Sequence, residues 1–155
     1  MELIGKAGVH ASYLKDFFDV KQRTKIVDTA VKKLKRIKSK FDAIAFSGMS
    51  GALMAPIVAH ELGKRVIAVR KPDEKPHSSH RTEGVHGDRY IILDDFIFSG
   101  DTLKRIKESI EQEAVFGPCV GCYLYSEGYS STRYEVDIAG EVVRNFACSK
   151  PRYER

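Results

Sequence analysis

One stretch decides the fold of this 155-residue chain. It reads Ile91-Ile92-Leu93-Asp94-Asp95-Phe96-Ile97-Phe98-Ser99-Gly100-Asp101-Thr102-Leu103. An apolar strand ends in two carboxylates, and a turn of small and polar residues then opens into a helix. In open α/β sheets, ligands bind at the carboxyl ends of strands, and the free N–H groups of a helix start attract anions. The stretch therefore predicts a sugar-phosphate site, with a plain Asx-turn and helix N-cap as the alternative.

The elements around this stretch predict an α/β fold. Apolar residues at helical spacing predict helices over 20–38, 52–62 and 102–113, with Pro56 in the first turn of the second. Short apolar runs predict strands over 41–46, 65–70, 90–94 and 115–125. The sequence after residue 126 is ambiguous, and a strand around 136–143 is one interpretation of it. The alternation predicts one domain over 1–155, with a mostly parallel central sheet flanked by helices. Residues 71–89 show no periodicity and predict a flexible loop, and 149–155 predict a solvated tail.

Composition excludes several classes of protein. With 43% hydrophobic and 30% charged residues, the chain is neither disordered nor collagen-like nor a coiled coil. No apolar window is long enough for a membrane span, and the first residues lack a secretory signal. We therefore expect a cytoplasmic protein with no membrane partner.

The positive charge is concentrated in one segment. The net charge is +5, yet residues 21–40 alone carry nine basic residues against Asp28. One interpretation is a surface that attracts RNA or phosphate, and the other is the solvated side of an amphipathic helix.

Three cysteines are too few for a disulfide framework. Cys119 and Cys122 have a C-x-x-C spacing, but no second pair follows and Cys148 stands alone. On a regular strand Cys119 and Cys122 would face opposite sides. We expect reduced, buried thiols rather than a zinc or redox site.

The stretch 91–103 resembles the phosphoribosyl-pyrophosphate (PRPP) signature of the type I phosphoribosyltransferases, which has four hydrophobics, two acids, a short apolar run and Thr/Ser-Gly-x-Thr. Two further pieces match in the family's order. The family's pyrophosphate loop is similar to Ser47-Gly48-Met49-Ser50-Gly51, and its orotate and adenine branches share Arg70-Lys71 at the end of the second strand. The Lys-x-His of the orotate branch is similar to Lys75-Pro76-His77. The resemblance covers 41–113 and implies a Rossmann-like type I phosphoribosyltransferase fold, with a long mobile catalytic loop and a small hood over residues 1–19.

The resemblance also implies roles for individual residues. Asp94 and Asp95 would hold the ribose hydroxyls, and the 5′-phosphate would be wrapped by Ser99, Gly100, Asp101 and Thr102. Pyrophosphate, with Mg²⁺ held mainly by PRPP itself, would be received by Ser47, Gly48, Met49, Ser50, Gly51, Arg70 and Lys71. The catalytic set would be Lys75, His77, Asp94 and Asp95, with His80 and Arg81 helping to close the loop. The alternatives are a plain strand-to-helix turn at 47–51, solvated cations at 70–71 and exposed loop histidines.

Departures from the family bear on the base. In 6-oxopurine enzymes an Asp precedes the Thr/Ser-Gly, and here that residue is Phe98, so orotate or adenine is favoured. The segment 8–18 resembles the orotate branch's hood, whose aromatics could stack on a base; the alternative is a buried pair, Phe17 and Phe18.

The resemblance predicts a Mg²⁺-dependent enzyme of nucleotide salvage that transfers phosphoribosyl from PRPP to a nitrogenous base, acting as a homodimer. The alternative is a non-catalytic PRPP- or nucleotide-sensing regulator that binds RNA. A dinucleotide-binding domain is disfavoured because neither G-x-G-x-x-G nor G-x-x-x-x-G-K-[ST] occurs.

Overall fold

The computed structural model describes residues 14–75, 79–95, 100–126 and 133–149. In these ranges strands β1 to β7 span Ala43–Phe46, Arg65–Val69, Thr82–Glu83, Tyr90–Asp94, Cys119–Leu124, Glu135–Ile138 and Glu141–Asn145. Helices α1 to α3 span Val20–Lys35, Gly48–Leu62 and Asp101–Gln112, and short 3₁₀ turns span Lys15–Phe17 and Lys38–Lys40. The predicted alternation of strands and helices is confirmed.

The strands form one sheet in the order β3-β2-β1-β4-β5-β7-β6. Strands β2, β1, β4, β5 and β7 are parallel, and the edge strands β3 and β6 are antiparallel to their neighbours. From β1 the chain moves outward to β2 and then returns to the other side of β1 as β4. The crevice at the carboxyl ends of β1 and β4 is therefore the topological switch point, where ligands bind in folds of this kind.

Helices cover both faces of the sheet. On one face α1 and α2 pack against Ile91 and Leu93, and on the other α3 packs against Tyr90 and Ile92. Strand β4 is buried at every residue, which is why it reads as an uninterrupted apolar run. Among the described residues, no helix combines the length and apolarity that crossing a bilayer requires.

Helix α1 has the predicted amphipathic pattern. Its buried side includes Val27, Ala30 and Leu34, whereas most of its basic residues are exposed. The Asp19 carboxylate accepts a hydrogen bond of 3.0 Å from the backbone N–H of Gln22 and caps the helix start. The basic segment is thus largely the solvated side of this helix.

Helix α2 differs from the prediction at its start. It begins at Gly48 rather than at residue 52, so Pro56 lies inside the helix and not in its first turn. Proline has no N–H to donate, which removes one hydrogen bond from the helix. Burial of Met54, Ala55, Val58 and Ala59 beside it keeps the helix continuous.

Two further predictions were wrong in detail. The loop 71–89 contains a short strand, β3, which pairs with the end of β2 through Val69 and Thr82. The late segment forms two strands, β6 and β7, joined by a tight turn at Ala139 and Gly140, and not one strand over 136–143. Their alternating burial was missed because only one face of this hairpin is covered.

The cysteines of β5 also correct a prediction. Cys119 and Cys122 pack into the same core cluster, on the α3 face, and not on opposite sides. The cause is a register irregularity: Tyr90 pairs with Cys119 but Ile91 pairs with Gly121, which leaves one extra residue in β5. All three thiols are free; Cys122 is buried as predicted, whereas Cys119 and Cys148 are partly exposed, and burial raises the pKa of Cys119 to about 11.

Candidate functional site

Three segments meet at the switch point of the sheet. Ser47 follows β1, Asp94 ends β4, and Arg70 follows β2. These strands are neighbours and parallel, so their carboxyl ends lie along the same edge. The fold therefore brings the predicted pyrophosphate loop and the acid pair together.

The acid pair lies at the centre of this edge. Asp94 and Asp95 are 4% and 7% exposed, respectively. One carboxylate oxygen of Asp94 accepts hydrogen bonds of 2.9 Å from Ser50 Oγ and from the backbone N–H of Asp95. Burial and the neighbouring charge of Asp95 raise the pKa of Asp94 to about 7. Asp94 is therefore partly protonated near neutral pH, a state in which its carboxyl can both accept and donate hydrogen bonds.

The loop 47–51 forms the entry into helix α2. Gly48 has φ +75°, a conformation that glycine adopts without strain, and a Cβ there would lie 2.8 Å from Lys71 Cε. The Lys71 side chain therefore crosses directly over the loop. The first N–H groups of a helix have no partner inside it, so this start can receive an anion. A cation, Lys71, therefore lies against the predicted pyrophosphate loop.

Arg70 is partly buried rather than a freely solvated cation. Its guanidinium forms an ion pair of 3.3 Å with Glu83 on β3, and its Nε atom is buried without a hydrogen-bond partner in the described ranges. The carbonyl of Lys71 accepts a hydrogen bond of 3.1 Å from Arg81. The predicted loop residues Arg70, Lys71 and Arg81 therefore lie together at the end of β2.

The phosphate turn is described from Gly100 onward. Gly100 has φ +86° and precedes α3, whose first residues Asp101 and Thr102 are exposed. A cavity of about 410 Å³ lies beside it, lined by Gly100, Asp101, Lys104, Glu108, Asp137, Ala139 and Gly140. This lining carries three acids against one lysine, which suits hydroxyls or a cation better than a phosphate. The phosphate is therefore predicted to bind at the turn that precedes α3 and not in this cavity.

Several predicted site residues are either exposed in the loop after β2 or lie outside the described ranges. Lys75 and His80 are exposed in the loop after β2. His77, Phe98, Ser99 and the hood residues 1–13 lie outside the described residues. Of the two hood phenylalanines Phe17 is buried and Phe18 is exposed, so they do not form a buried pair.

Two residues of this edge were missed by the sequence interpretation. Arg105 on α3 donates hydrogen bonds of 3.0 Å to Ser47 Oγ and 3.3 Å to the Arg70 carbonyl. It therefore links the two segments that the sequence predicts to receive pyrophosphate. Tyr125, just after β5, donates a hydrogen bond of 2.8 Å to the Ser50 carbonyl, and its ring meets Phe17 edge to face at 5.3 Å. Arg105 had one usable signal, since it is a cation one turn into the helix after the acid pair.

No cluster of three or more metal-ligating side chains exists among the described residues. Mg²⁺ is usually bound by one or two carboxylates together with substrate phosphates. A buried acid pair beside an anion loop fits that pattern.

Comparisons with known proteins agree with this geometry. No protein-family model matches the chain. It is 32% identical over 92 residues to the adenine phosphoribosyltransferase of Burkholderia pseudomallei and 37% identical over 90 residues to that of Bifidobacterium longum. These matches cover 49% and 48% of this chain and 49% and 47% of the relatives, so the chain spans about half the length of the curated relatives it matches.

Solved structures extend the similarity of fold. The orotate phosphoribosyltransferase of Aeropyrum pernix superposes with a TM-score of 0.61 at 16% identity, over 79% of this chain and 70% of that one. The adenine phosphoribosyltransferase of Saccharomyces cerevisiae gives 0.60 at 22% identity, over 73% and 72%. Together with the sequence similarity, this shared fold supports the resemblance drawn from the motifs: the chain has the fold of the type I phosphoribosyltransferases and is similar in sequence to adenine phosphoribosyltransferases over about half its length.

Proposed function

We propose that this protein transfers the 5-phosphoribosyl group of PRPP to a nitrogenous base and releases pyrophosphate. The observation that carries the proposal is the buried pair Asp94 and Asp95, hydrogen-bonded to the pyrophosphate loop through Ser50. The similarity to proteins named as transferases favours catalysis over a non-catalytic, RNA-binding regulator.

The acid pair would hold the ribose. Burial has already removed water from these carboxylates, so hydroxyl donors of a bound sugar would replace it. Because its pKa is raised to about 7, Asp94 would donate a hydrogen bond to a sugar oxygen when it is protonated. Beside the pair, the turn Ser99, Gly100, Asp101 and Thr102 would bind the 5′-phosphate, chiefly through backbone N–H groups at the start of α3.

The pyrophosphate would lie against the loop Ser47, Gly48, Met49, Ser50 and Gly51. Lys71 crosses Gly48, and Arg105 is hydrogen-bonded to Ser47 and to the Arg70 carbonyl, so these cations would lie beside the place where negative charge develops. Mg²⁺, bound mainly by PRPP with Asp94 and Asp95 beside it, would neutralise further charge on the leaving group.

The loop after β2 would close over the reaction. Lys75 and His77 would approach the pyrophosphate, helped by His80 and Arg81, and exclude water that otherwise hydrolyses the ribosyl cation. Because Lys75 is exposed, movement of the loop would be needed for it to act.

Adenine is the first base to test and orotate the second. The curated relatives are adenine enzymes, the structural neighbours include both, and Phe98 replaces the Asp that serves 6-oxopurines. Tyr125, which is hydrogen-bonded to the Ser50 carbonyl and packed against the buried Phe17, would offer an aromatic surface to the base. We further expect a homodimer in the cytoplasm.

The direct experiment incubates the full chain with PRPP, Mg²⁺ and, one at a time, adenine, orotate, hypoxanthine and guanine, and measures pyrophosphate. We expect turnover with adenine or orotate that disappears when Mg²⁺ is chelated. The Asp94→Asn/Asp95→Asn variant, shown to be folded by circular dichroism, is the control for contaminating activity. Absence of pyrophosphate with every base would contradict the proposal.

A further inference from the structure

A second concave site lies between the end of α1 and the end of β7. Its cavity of about 240 Å³ is lined by Lys33, Arg36, Ile37, Arg144, Phe146, Cys148 and Ser149. Helix α1 starts near the carboxyl edge, where Phe17 meets Tyr125, and ends shortly before β1 begins. Its last turns therefore lie toward the amino ends of the strands, away from Asp94.

The lining is strongly positive. Lys33, Arg36 and Arg144 contribute three cations, and no carboxylate is among the lining residues. Lys33 Nζ donates a hydrogen bond of 2.6 Å to the Ala147 carbonyl. This bond positions the ammonium and leaves its other N–H donors for a bound anion. The C-terminus of α1 contributes about half a negative charge that opposes an anion, and three full positive charges exceed it.

Arg144 is held in place for binding. Its guanidinium carbon lies 4.8 Å from the centre of the Tyr134 ring and 5.3 Å from that of Phe146. Its Nε atom is buried and has no hydrogen-bond partner in the described part of the chain. Glu135 on β6 is the register partner of Arg144 on β7, but none of the ion pairs found among the described residues joins them. A buried donor left unpaired destabilises the fold, so an external acceptor would be favoured.

The thiol of Cys148 lies near two of these cations, Lys33 and Arg144. Burial raises the pKa of Cys148, and the positive charges of Lys33 and Arg144 act against that rise. Both cations therefore lie close to one point of the cavity wall.

We propose that this pocket binds a small phosphate-bearing anion of the size of pyrophosphate. Arginine presents a planar set of donors that matches phosphate oxygens, and lysine adds a point charge. Pockets for whole drug-sized ligands start at about 300 Å³, so a smaller recess suits one or two phosphate groups better than an entire nucleotide. If the backbone of RNA were the occupant instead, the exposed lysines of α1 outside the recess, such as Lys25 and Lys32, would share the binding.

The test is a titration of the ¹⁵N-labelled full chain with inorganic pyrophosphate, without Mg²⁺, at about 0.15 M ionic strength, where surface charges are screened beyond ~8 Å. We expect the amide chemical shifts of residues 33–37 and 144–149 to saturate with pyrophosphate. Their binding curve should differ from that of residues 47–51. In Lys33→Gln/Arg36→Gln the affinity at this pocket should fall by at least about tenfold, because charged hydrogen bonds are lost. In the matched variant Lys32→Gln it should not change.

Four outcomes would overturn the proposal. The first is a shift that grows linearly without saturation, and the second is an equal loss in the Lys32→Gln variant, which would indicate a diffuse basic surface. The third is saturation of these amides by a short single-stranded RNA that pyrophosphate does not displace. Shifts confined to residues 47–51 would likewise overturn it while leaving the proposed transferase function intact.

Discussion

Aspartates at the two ends of the sheet have different partners and opposite pKa shifts. At the amino ends, Asp42 forms a two-armed ion pair with Arg89 and Asp88 forms one with Arg65. The Arg89 hydrogen bonds lower the pKa of Asp42 well below its ordinary value. At the carboxyl ends, Asp94 is hydrogen-bonded to Ser50 and to the Asp95 backbone instead of to a cation, and its pKa is raised.

The difference teaches how this fold separates stability from binding. An ion pair closes a carboxylate to further partners, whereas two adjacent buried carboxylates repel each other and gain from a ligand that supplies donors or positive charge. The amino edge therefore stabilises the structure, and the carboxyl edge keeps its polar groups available.

The largest expected effect is at the carboxyl edge. Asp94→Asn/Asp95→Asn should lower turnover with PRPP by at least about 100-fold, because two charge-assisted hydrogen bonds of about 1.5–3 kcal/mol each are lost. The fold should remain, since amides fill the same space. Pyrophosphate release and circular dichroism measure the two effects, with Asp42→Asn as the amino-edge control that keeps turnover. Turnover retained by the double variant would mean that the ribose assignment is wrong.

The exposed loop gives the next effect. Lys75→Ala should lower kcat by about 100-fold while changing PRPP affinity little, because its charge acts on the pyrophosphate only as the leaving group departs. Steady-state kinetics and equilibrium binding of PRPP separate the two terms. Equal losses in kcat and affinity would indicate simple ground-state binding.

Two glycines allow a matched test of stability against function. A Cβ on Gly51 would lie 2.7 Å from Phe46 Cβ, and one on Gly117 would lie 2.9 Å from the Gly87 carbonyl oxygen. Each change to alanine should lower the free energy of unfolding by about 1–3 kcal/mol, as overpacking does. Only Gly51→Ala should also lower PRPP use, since Gly51 belongs to the proposed pyrophosphate loop and a Cβ there would lie 3.4 Å from the Leu93 carbonyl oxygen of β4. Urea unfolding and the pyrophosphate assay test the pair, and an equal loss of turnover in both variants would erase the distinction.

The pH dependence of stability should differ between the two edges. The folded pKa of Asp94, about 7, lies above its ordinary value of 3.8, so the folded state binds the extra proton. Its contribution to stability is therefore complete below about pH 4 and is lost as pH rises toward 7. Asp42 has a lowered pKa, so its contribution is present at neutral pH and is lost on acidification below pH 3.8.

Asp94→Asn should accordingly be more stable than the parent at pH 8, and the difference should shrink toward pH 5. Melting temperatures across this range measure it, and subtracting the parent curve removes the contribution of the histidines. A difference that does not vary with pH would contradict the assignment of this titration to the acid pair.

The smallest effect is expected at Arg105. Arg105→Ala removes hydrogen bonds of about 0.5–1.5 kcal/mol each, so the KM for PRPP should rise several-fold with kcat nearly unchanged. Gln112→Ala, on an exposed position near the end of the same helix, is the control. A fall in kcat with an unchanged KM would show that Arg105 acts on the transition state rather than on the shape of the loop.

Much of the fold was predictable from local patterns. Strand β4 was predicted with its observed bounds because a fully buried parallel strand is a continuous apolar run. Helix α3 was predicted to within one residue at each end because Leu103, Ile106 and Ile110 repeat at helical spacing. The hairpin β6–β7 was missed, since its pairing joins residues whose side chains carry a weak apolar pattern.

The sequence by itself determined that an acid pair follows a buried strand, that a glycine-containing loop follows another, and that both belong to an α/β fold, because these features follow from the order of residues along the chain. Only the tertiary structure decided that Ser50 hydrogen-bonds Asp94, that Arg105 joins Ser47 to Arg70, and that Cys119 and Cys122 share one face. These contacts depend on strand order, register and the extra residue in β5, and side chains that are 35 to 58 positions apart leave no local pattern when they meet.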